Sequence, residues 1–141
     1  MSFVEKPFEA FRVGDAATFS KTVTEADVLL FAAVSGDFYP LHVDEEYAKA
    51  TRFGTRVAHG MLTASLLSTT TGMLLQLPGG IYVAQTLHFR APVRAGDTLT
   101  ARSEVTEILP ERRRLRVRAS VVNQRGETVL DGEGTLQKDE R

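Results

Sequence analysis

The sequence predicts an α+β domain in which an antiparallel sheet curls around a helix. Residues 60–75 have a helical pattern in which Met, Leu and Ala alternate with small hydroxyl residues, so almost every face is apolar or small. From residue 81 onward the hydrophobic period changes to two, which is typical of strands. The short links between those strands favour antiparallel neighbours. The apolar helix is therefore expected to be buried on nearly all sides.

The elements before residue 60 are predicted from capping and turn signals. Residues 16–23 alternate as a strand, and Thr24 is expected to cap the next helix together with Asp27. Gly36 is expected to end that helix in a left-handed conformation. A second, short helix with acidic residues at its start is predicted over residues 44–51.

The second half of the chain is predicted to be strands separated by turns. The clearest pattern covers residues 114–121, where apolar residues alternate with arginine and serine, which indicates a half-buried strand. The other strands are expected at residues 81–90, 97–109 and 128–137, with turns at residues 92–96, 110–111 and 124–126.

The composition fits a single domain over residues 1–141. Hydrophobic residues make up 43% of the chain, which is enough for a core. The formal net charge of -1 gives no general field that would attract nucleic acid or an anionic membrane, so neither is expected as a partner. With no cysteine, the chain has no disulfide, no thiolate nucleophile and no zinc site built on sulfur.

No membrane helix or signal peptide is expected. Residues 57–89 contain no Asp, Glu, Lys or Arg, but serine, threonine and a Pro-Gly-Gly break interrupt the apolar residues of this stretch. No run of about 20 residues therefore stays predominantly apolar. The first 15 residues carry several charges and lack the apolar core of a signal peptide, so we expect a cytoplasmic protein.

The densest cluster of chemical groups lies at residues 35–42, between two predicted helices. Asp37 and His42 offer an acid and a base, the two roles that hydration of a double bond requires. Such a pair could orient one water molecule. The alternative interpretation is structural, because an aspartate after a glycine often forms a turn and a histidine often packs and bonds a backbone carbonyl.

A second cluster lies at residues 58–61, at the predicted start of the apolar helix. The backbone amide of Gly60 is expected to point away from the helix, where it would stabilise an oxygen that gains negative charge. Glycine also lets a ligand approach the backbone closely. Alternatively, Gly60 serves only as a tight entry to the helix.

The remaining chemical signals favour neither a metal nor a nucleotide cofactor. His42, His59 and His88 have no paired ligand spacing, so no metal site is predicted. The sequence contains no Gly-rich phosphate loop, no dinucleotide fingerprint and no Gly-x-Ser-x-Gly motif. No cofactor is expected.

Several motifs, taken together, resemble one enzyme family. They are residues 22–27 (TVTEAD), the spacing from Ser35-Gly36-Asp37 to Pro40-Leu41-His42, residues 57–62 (VAHGML), residues 89–93 (FRAPV) and Gly96-Asp97. This combination is similar to the MaoC-like, R-specific enoyl-coenzyme A hydratases, and the similarity covers nearly the whole chain.

The resemblance implies a hot-dog fold that forms a homodimer, with a curved sheet around a long central helix. It implies that Asp37 and His42 activate one water for addition to a trans-2-enoyl thioester, giving the R-3-hydroxyacyl thioester. The amide of Gly60 would bind the thioester carbonyl. The substrate-binding residues would be Tyr39, Met61, Ser65 and Ser68. The implied partner is an enoyl-coenzyme A or 3-hydroxyacyl-coenzyme A substrate, with acyl carrier protein as an alternative carrier.

One departure from the family pattern keeps alternatives open. Tyr39 stands where family members usually carry Asn, which changes the hydrogen-bonding group beside the predicted site. One alternative is a hot-dog thioesterase, because one fold hosts both chemistries. Another is a domain that binds acyl thioesters or pairs with another subunit without catalysis.

The arginines of residues 112–118 are typical of the solvated face of a strand and its turn. An alternative interpretation is that they contact the phosphates of coenzyme A, because arginine suits phosphate recognition.

Overall fold

The computed structural model describes residues 6–74, 76 and 79–138. In this part of the chain, six strands form one antiparallel sheet in the order β1-β4-β5-β6-β2, with β3 beside β6. The strands are β1 (Ala16–Thr22), β2 (Gly80–Gln85), β3 (His88–Phe89), β4 (Thr98–Leu109), β5 (Arg114–Val122) and β6 (Thr128–Lys138). The helices are α1 (Glu25–Ser35), α2 (Pro40–Val43), α3 (Glu45–Lys49) and α4 (Gly60–Thr69). The predicted α+β class is confirmed.

The alternation predicted for residues 114–121 is confirmed in β5. Leu115, Val117, Ala119 and Val121 are each no more than 1% exposed, whereas the arginines between them face outward or are half-buried. This period follows from strand geometry, which points successive side chains to opposite faces. The buried face of β5 therefore forms the centre of the core.

The helix α4 packs on one part of this sheet. Leu66 and Leu67 of α4 join a buried cluster with strand residues that include Leu99, Val121 and Leu130. A second cluster lies elsewhere in the sheet, where Phe8 and Phe11 of the N-terminal segment pack with four residues of β4, β5 and β6: Val105, Leu115, Val117 and Leu136. The sequence analysis did not anticipate this role for the N-terminal aromatic residues.

Both predicted ends of α1 are confirmed. The Thr24 hydroxyl accepts the N–H of Asp27 at 3.1 Å, and the Asp27 carboxylate accepts the N–H of Thr24 at 2.9 Å. This reciprocal pair satisfies amides that the helix itself leaves free. Gly36 ends α1 with φ at 79°, a left-handed conformation that glycine adopts without steric cost.

The prediction for residues 60–75 was correct in position and wrong in two respects. Regular α-helix ends at Thr69, and residues 70–74 form a wider π-helical turn, in which Thr70 and Thr71 return their hydroxyls to the carbonyl of Leu67. Residue 75 lies outside the described residues. The helix is also not buried on nearly all sides, because the sheet covers one side only and Met61 is 55% exposed.

The predicted strand over residues 81–90 is divided into β2 and β3, both of which pair with β6. The interruption lies at Thr86, whose hydroxyl accepts the N–H of Glu133 at 3.0 Å in place of a backbone carbonyl. The helical turn α2 was not predicted, and α3 is shorter than the predicted helix over residues 44–51.

The link over residues 92–96 does not join neighbouring strands, contrary to the expectation from its length. It connects β3 to β4, which are not paired. Instead, the Val93 carbonyl accepts the N–H of Ala58, and Gly96 donates to Val23. The link thus anchors the segment that precedes α4.

No helix in the described residues is long and apolar enough to cross a membrane.

Candidate active site

The end of α1 positions Asp37. The Ser35 hydroxyl accepts the N–H of Asp37 at 3.2 Å, and Oδ1 of Asp37 accepts the N–H of Tyr39 at 3.1 Å. Asp37 therefore forms a local turn, as the structural alternative expected. Its second carboxylate oxygen, Oδ2, lies 3.9 Å from Nε2 of His42. The turn interpretation and the chemical interpretation are thus compatible.

His42 is held by a single strong contact to the backbone. Its Nδ1 lies 2.7 Å from the carbonyl oxygen of Val57. A carbonyl only accepts, so Nδ1 donates and, in the neutral ring, the lone pair is on Nε2. The 3.9 Å between this Nε2 and Asp37 Oδ2 is too long for a direct hydrogen bond. The two groups can instead hydrogen-bond to one small molecule placed between them.

His59 is a third member of the site that sequence reasoning did not assign. It is 2% exposed, and its Nε2 donates to the backbone carbonyl of Asp37 at 2.9 Å. Its ring stacks on His42 with 3.9 Å between centroids and 28° between planes, and Phe31 lies on it at 4.8 Å. Its Nδ1 is buried without a hydrogen-bond partner among the described residues. The signals in the sequence were its position next to Gly60 and its place in the motif over residues 57–62.

Gly60 is the first residue of α4, so its N–H has no partner within the helix. A Cβ atom at this position would lie 2.7 Å from Cε1 of Phe89. Any larger residue here would therefore need the Phe89 ring to shift, and glycine also suits an exposed amide. Both interpretations of Gly60 from the sequence are compatible with this geometry.

A cavity of 470 Å³ brings His42, Gly60 and Met61 together. Most of its wall is apolar and includes Phe89 and Val93. Asp37 does not line this cavity, although its carboxylate is near His42. An apolar cavity with a few polar groups at one place is typical of a site for a small organic ligand.

Ser65 and Ser68 line a different cavity, of 460 Å³, together with Leu67 and Tyr82. The two cavities share Met61. The Ser65 hydroxyl donates to the carbonyl of Leu62 at 2.6 Å. Within one chain, the two serines are therefore separated from His42.

Tyr39 lines none of the cavities described, and its ring is edge-on to His42 at 6.0 Å. Its hydroxyl is 2.9 Å from that of Tyr47, and this hydrogen bond raises the pKa of Tyr47 above its usual value. The phenol of Tyr39 is thus engaged with α3, and its ring forms one side of the surroundings of His42.

Three atoms that could bind a metal ion lie within 4.8 Å of one another: a carboxylate oxygen of Asp37 and one ring nitrogen each of His42 and His59. Nδ1 of His42 donates to Val57 and Nε2 of His59 donates to Asp37, so each neutral ring has a lone pair only on its other nitrogen. The absence of a metal stays a prediction from the sequence.

Comparison with known proteins identifies the family of this chain. A family model described as the MaoC like domain matches residues 11–128. A curated (R)-specific enoyl-CoA hydratase of Rhodospirillum rubrum is 46% identical over 129 residues, covering 92% of this chain and 89% of that protein. A 3-hydroxybutyryl-CoA dehydratase of Methylorubrum extorquens is 45% identical over 130 residues, covering 92% of this chain and 82% of that protein.

Solved structures show the same fold. The unliganded R-hydratase PhaJ1 of Pseudomonas aeruginosa is 44% identical with a TM-score of 0.88, covering 96% of this chain and 86% of that one. The (R)-hydratase of A. caviae involved in PHA biosynthesis is 37% identical with a TM-score of 0.88, covering 93% of this chain and 99% of that one. The predicted hot-dog fold is confirmed by these relatives, and the chain belongs to the MaoC-like domain family.

Proposed function

We propose that this protein catalyses the reversible, R-specific hydration of trans-2-enoyl-coenzyme A to R-3-hydroxyacyl-coenzyme A. The observation that carries the proposal is the 3.9 Å separation of Asp37 Oδ2 and His42 Nε2, with His42 and Gly60 on the wall of one cavity. Relatives named (R)-specific enoyl-CoA hydratase and 3-hydroxybutyryl-CoA dehydratase, each over most of the chain, support the same reaction class.

In this mechanism, Asp37 and His42 hold one water between them. His42 Nε2 accepts a proton from the water as its oxygen bonds to the β-carbon, and the Asp37–His42 pair delivers a proton to the α-carbon. The pair ends with the number of protons with which it began, so the substrate gains one water. The hydrogen bond from His42 to Val57 supports this role because it keeps the lone pair on Nε2.

Gly60 completes the proposed mechanism. Attack on the β-carbon pushes negative charge onto the thioester oxygen, and an N–H at a helix start stabilises that charge. The wall around Gly60 is mostly apolar, so a ligand that fills the cavity would displace water and thereby strengthen this interaction.

We further propose that the active protein is a homodimer. Strand β2 is at the end of the strand order, and Ile81, Tyr82 and Val83 on it are 48%, 41% and 41% exposed. The exposed side of α4, which carries Met61, Ser65 and Ser68, leaves further apolar and small side chains uncovered. A second copy on this side would cover both β2 and the exposed side of α4, and would bring Ser65 and Ser68 into an enclosed site.

The location in the cytoplasm stays a prediction.

The test follows loss of the conjugated-enoyl absorbance with crotonyl-coenzyme A, combined with the chirality of the product. Wild type is expected to form the R-hydroxy thioester. Asp37→Asn and His42→Ala are each expected to lower kcat/KM by about 10²-fold or more, as for groups that transfer protons in the transition state. The unfolding midpoint of Asp37→Asn should stay close to that of wild type, because Asp37 is exposed. His42→Ala loses the bond to Val57 and the stacking on His59, so its activity is compared per folded molecule.

Three results would contradict the proposal. Release of free thiol from saturated acyl-coenzyme A would indicate a thioesterase instead. Binding of acyl-coenzyme A without turnover, and with the same affinity in Asp37→Asn, would indicate a non-catalytic domain. Formation of the S product would exclude the proposed stereochemistry.

A further inference from the structure

The charged residues that line the cavity at His42 and Gly60 are all positive. The residues that line it include two arginines, Arg52 and Arg90, and no aspartate or glutamate. Apart from these arginines and His42, the wall is mostly apolar. A ligand that fills this cavity would therefore meet positive charge and apolar surface outside the reacting groups.

The two arginines differ in their partners. Arg90 makes a two-point contact with Asp131, at 3.0 and 3.1 Å, so its charge is largely neutralised. Arg52 is exposed and forms no ion pair within the part of the chain that the structure describes. Arg56, four positions later, is occupied by Glu25 and Glu45. Arg52 is thus the lining cation that is free to bind an anion.

Arg52 is presented by an ordered turn. Its guanidinium lies over the ring of Phe53 at 4.8 Å, which limits the directions it takes. The Thr51 hydroxyl accepts the N–H of Phe53, and the carbonyl of Phe53 accepts from Arg94 at 3.2 Å. The turn itself closes through the N–H of Gly54, which donates to Thr51 at 3.1 Å.

We propose that Arg52, supported by the ring of Phe53, binds a phosphate group of the carrier to which the acyl thioester of the substrate is attached. This inference rests on the proposed function, because a thioester bound at His42 and Gly60 would extend its phosphate-bearing carrier along the cavity that Arg52 also lines. Arginine suits this task because its planar guanidinium matches phosphate oxygens and keeps its charge at any physiological pH.

The arginines of residues 112–118 are a weaker candidate for the phosphate. Among them, Arg113 pairs with Glu9, Arg114 with Gln137 and Arg116 with Glu107. None of them lines the cavity that contains His42 and Gly60. Their positions on β5 and its preceding turn fit the solvated strand face that the alternation predicts.

The test compares three thioesters that differ only in the carrier: crotonyl-coenzyme A, crotonyl-phosphopantetheine and crotonyl-pantetheine, which has no phosphate. Arg52→Gln is expected to lower kcat/KM for crotonyl-coenzyme A about tenfold, mainly through KM, and the loss should shrink at high salt. It should leave crotonyl-pantetheine unaffected. Arg118→Gln, which removes the same charge from an exposed site on β5, is the matched control and should change none of the three.

The three carriers also separate the possible phosphates. A loss with crotonyl-phosphopantetheine as well as crotonyl-coenzyme A assigns the phosphate that coenzyme A shares with acyl carrier protein. A loss with crotonyl-coenzyme A alone assigns the phosphates of its nucleotide end. An equal loss with crotonyl-pantetheine, or no loss with any carrier, overturns the role of Arg52. If wild type converts none of the thioesters, the proposed function fails first.

Discussion

The strands β4 to β6 and the segment over residues 36–60 are stabilised in different ways. In β5, every second side chain is buried, and its backbone N–H and C=O groups form hydrogen bonds with β4 on one side and β6 on the other. Residues 36–60 contain few buried apolar side chains, among them Ala48, Val57 and Ala58. This second region carries Asp37, His42, His59 and Gly60.

Hydrogen bonds from side chains to the backbone replace packing in the segment over residues 36–60. His42 bonds the carbonyl of Val57, and His59 bonds that of Asp37. Asp44 caps α3 by accepting the N–H of Tyr47 at 3.1 Å. Such bonds fix positions accurately and contribute little free energy each, about 1 kcal/mol. From this difference we expect stability and activity to depend on separate regions, which substitutions can test.

The largest effect is expected in the strands. Leu115 is 1% exposed and packs in the cluster with Phe8 and Phe11. Leu115→Ala should lower the free energy of unfolding by about 2–5 kcal/mol, because it removes buried apolar surface and leaves a cavity. Urea unfolding measures this loss, and kcat/KM per folded molecule should be nearly unchanged.

Arg116→Ala is the matched control for Leu115→Ala, because its side chain points to solvent from the next position of β5. Its exposed ion pair with Glu107, at 3.1 Å, should contribute at most about 1 kcal/mol. A loss of activity in folded Leu115→Ala would break the separation of the two regions.

A smaller effect is expected at His59, where the substitution should lower activity and leave stability nearly unchanged. His59→Leu removes the donor to the Asp37 carbonyl and the ring that stacks on His42. We expect kcat to fall about tenfold with little change in KM, because the variant loses the hydrogen bond by which His59 positions Asp37. The unfolding free energy should change little, because leucine also removes the unpaired Nδ1.

His59→Gln is the comparison variant, because its amide can place a donor near the position of Nε2. It should retain more activity than His59→Leu if the bond to Asp37 matters more than ring stacking. Unchanged kcat in both variants would show that His59 does not position the site, whatever their stability.

The smallest effect is expected at the cap of α1 and depends on pH. Accepting the N–H of Thr24 holds the pKa of Asp27 below its usual value, with help from Lys21 at 3.0 Å. The folded-state pKa is thus below the unfolded one, so this stabilisation is full above about pH 4 and is lost as pH falls through the folded-state pKa.

Asp27→Ala should accordingly lower the unfolding free energy by about 1 kcal/mol at pH 7 and by less in acid, as measured by urea unfolding at several pH values. Glu111→Ala, which removes an exposed carboxylate from the turn before β5, should show no comparable loss. A difference between Asp27→Ala and wild type that stays constant down to pH 2 would contradict the charge-dependent cap.

The features that the sequence predicted best are those set by neighbouring residues. The period of two in residues 114–121 gave the buried face of β5, and Thr24, Asp27 and Gly36 gave the ends of α1. The spacing from Asp37 to His42 keeps the two residues close along the chain, and the 3.9 Å between their side chains also depends on Val57, whose carbonyl holds the His42 ring. These predictions depend on short-range sterics and hydrogen bonding, which the chain carries wherever it folds.

The sequence by itself determined most of the strands, the ends of α1 and the neighbouring positions of Asp37 and His42 along the chain, whereas only the tertiary structure decided their surroundings. His59 reaches Asp37 from 22 positions away, Phe89 covers Gly60, and Arg52 lines the cavity with both. Tertiary packing also decided that one side of α4 is exposed. The physical reason is that such contacts depend on how β3, the link before β4 and the segment before α4 cross in space, and no local pattern encodes those crossings.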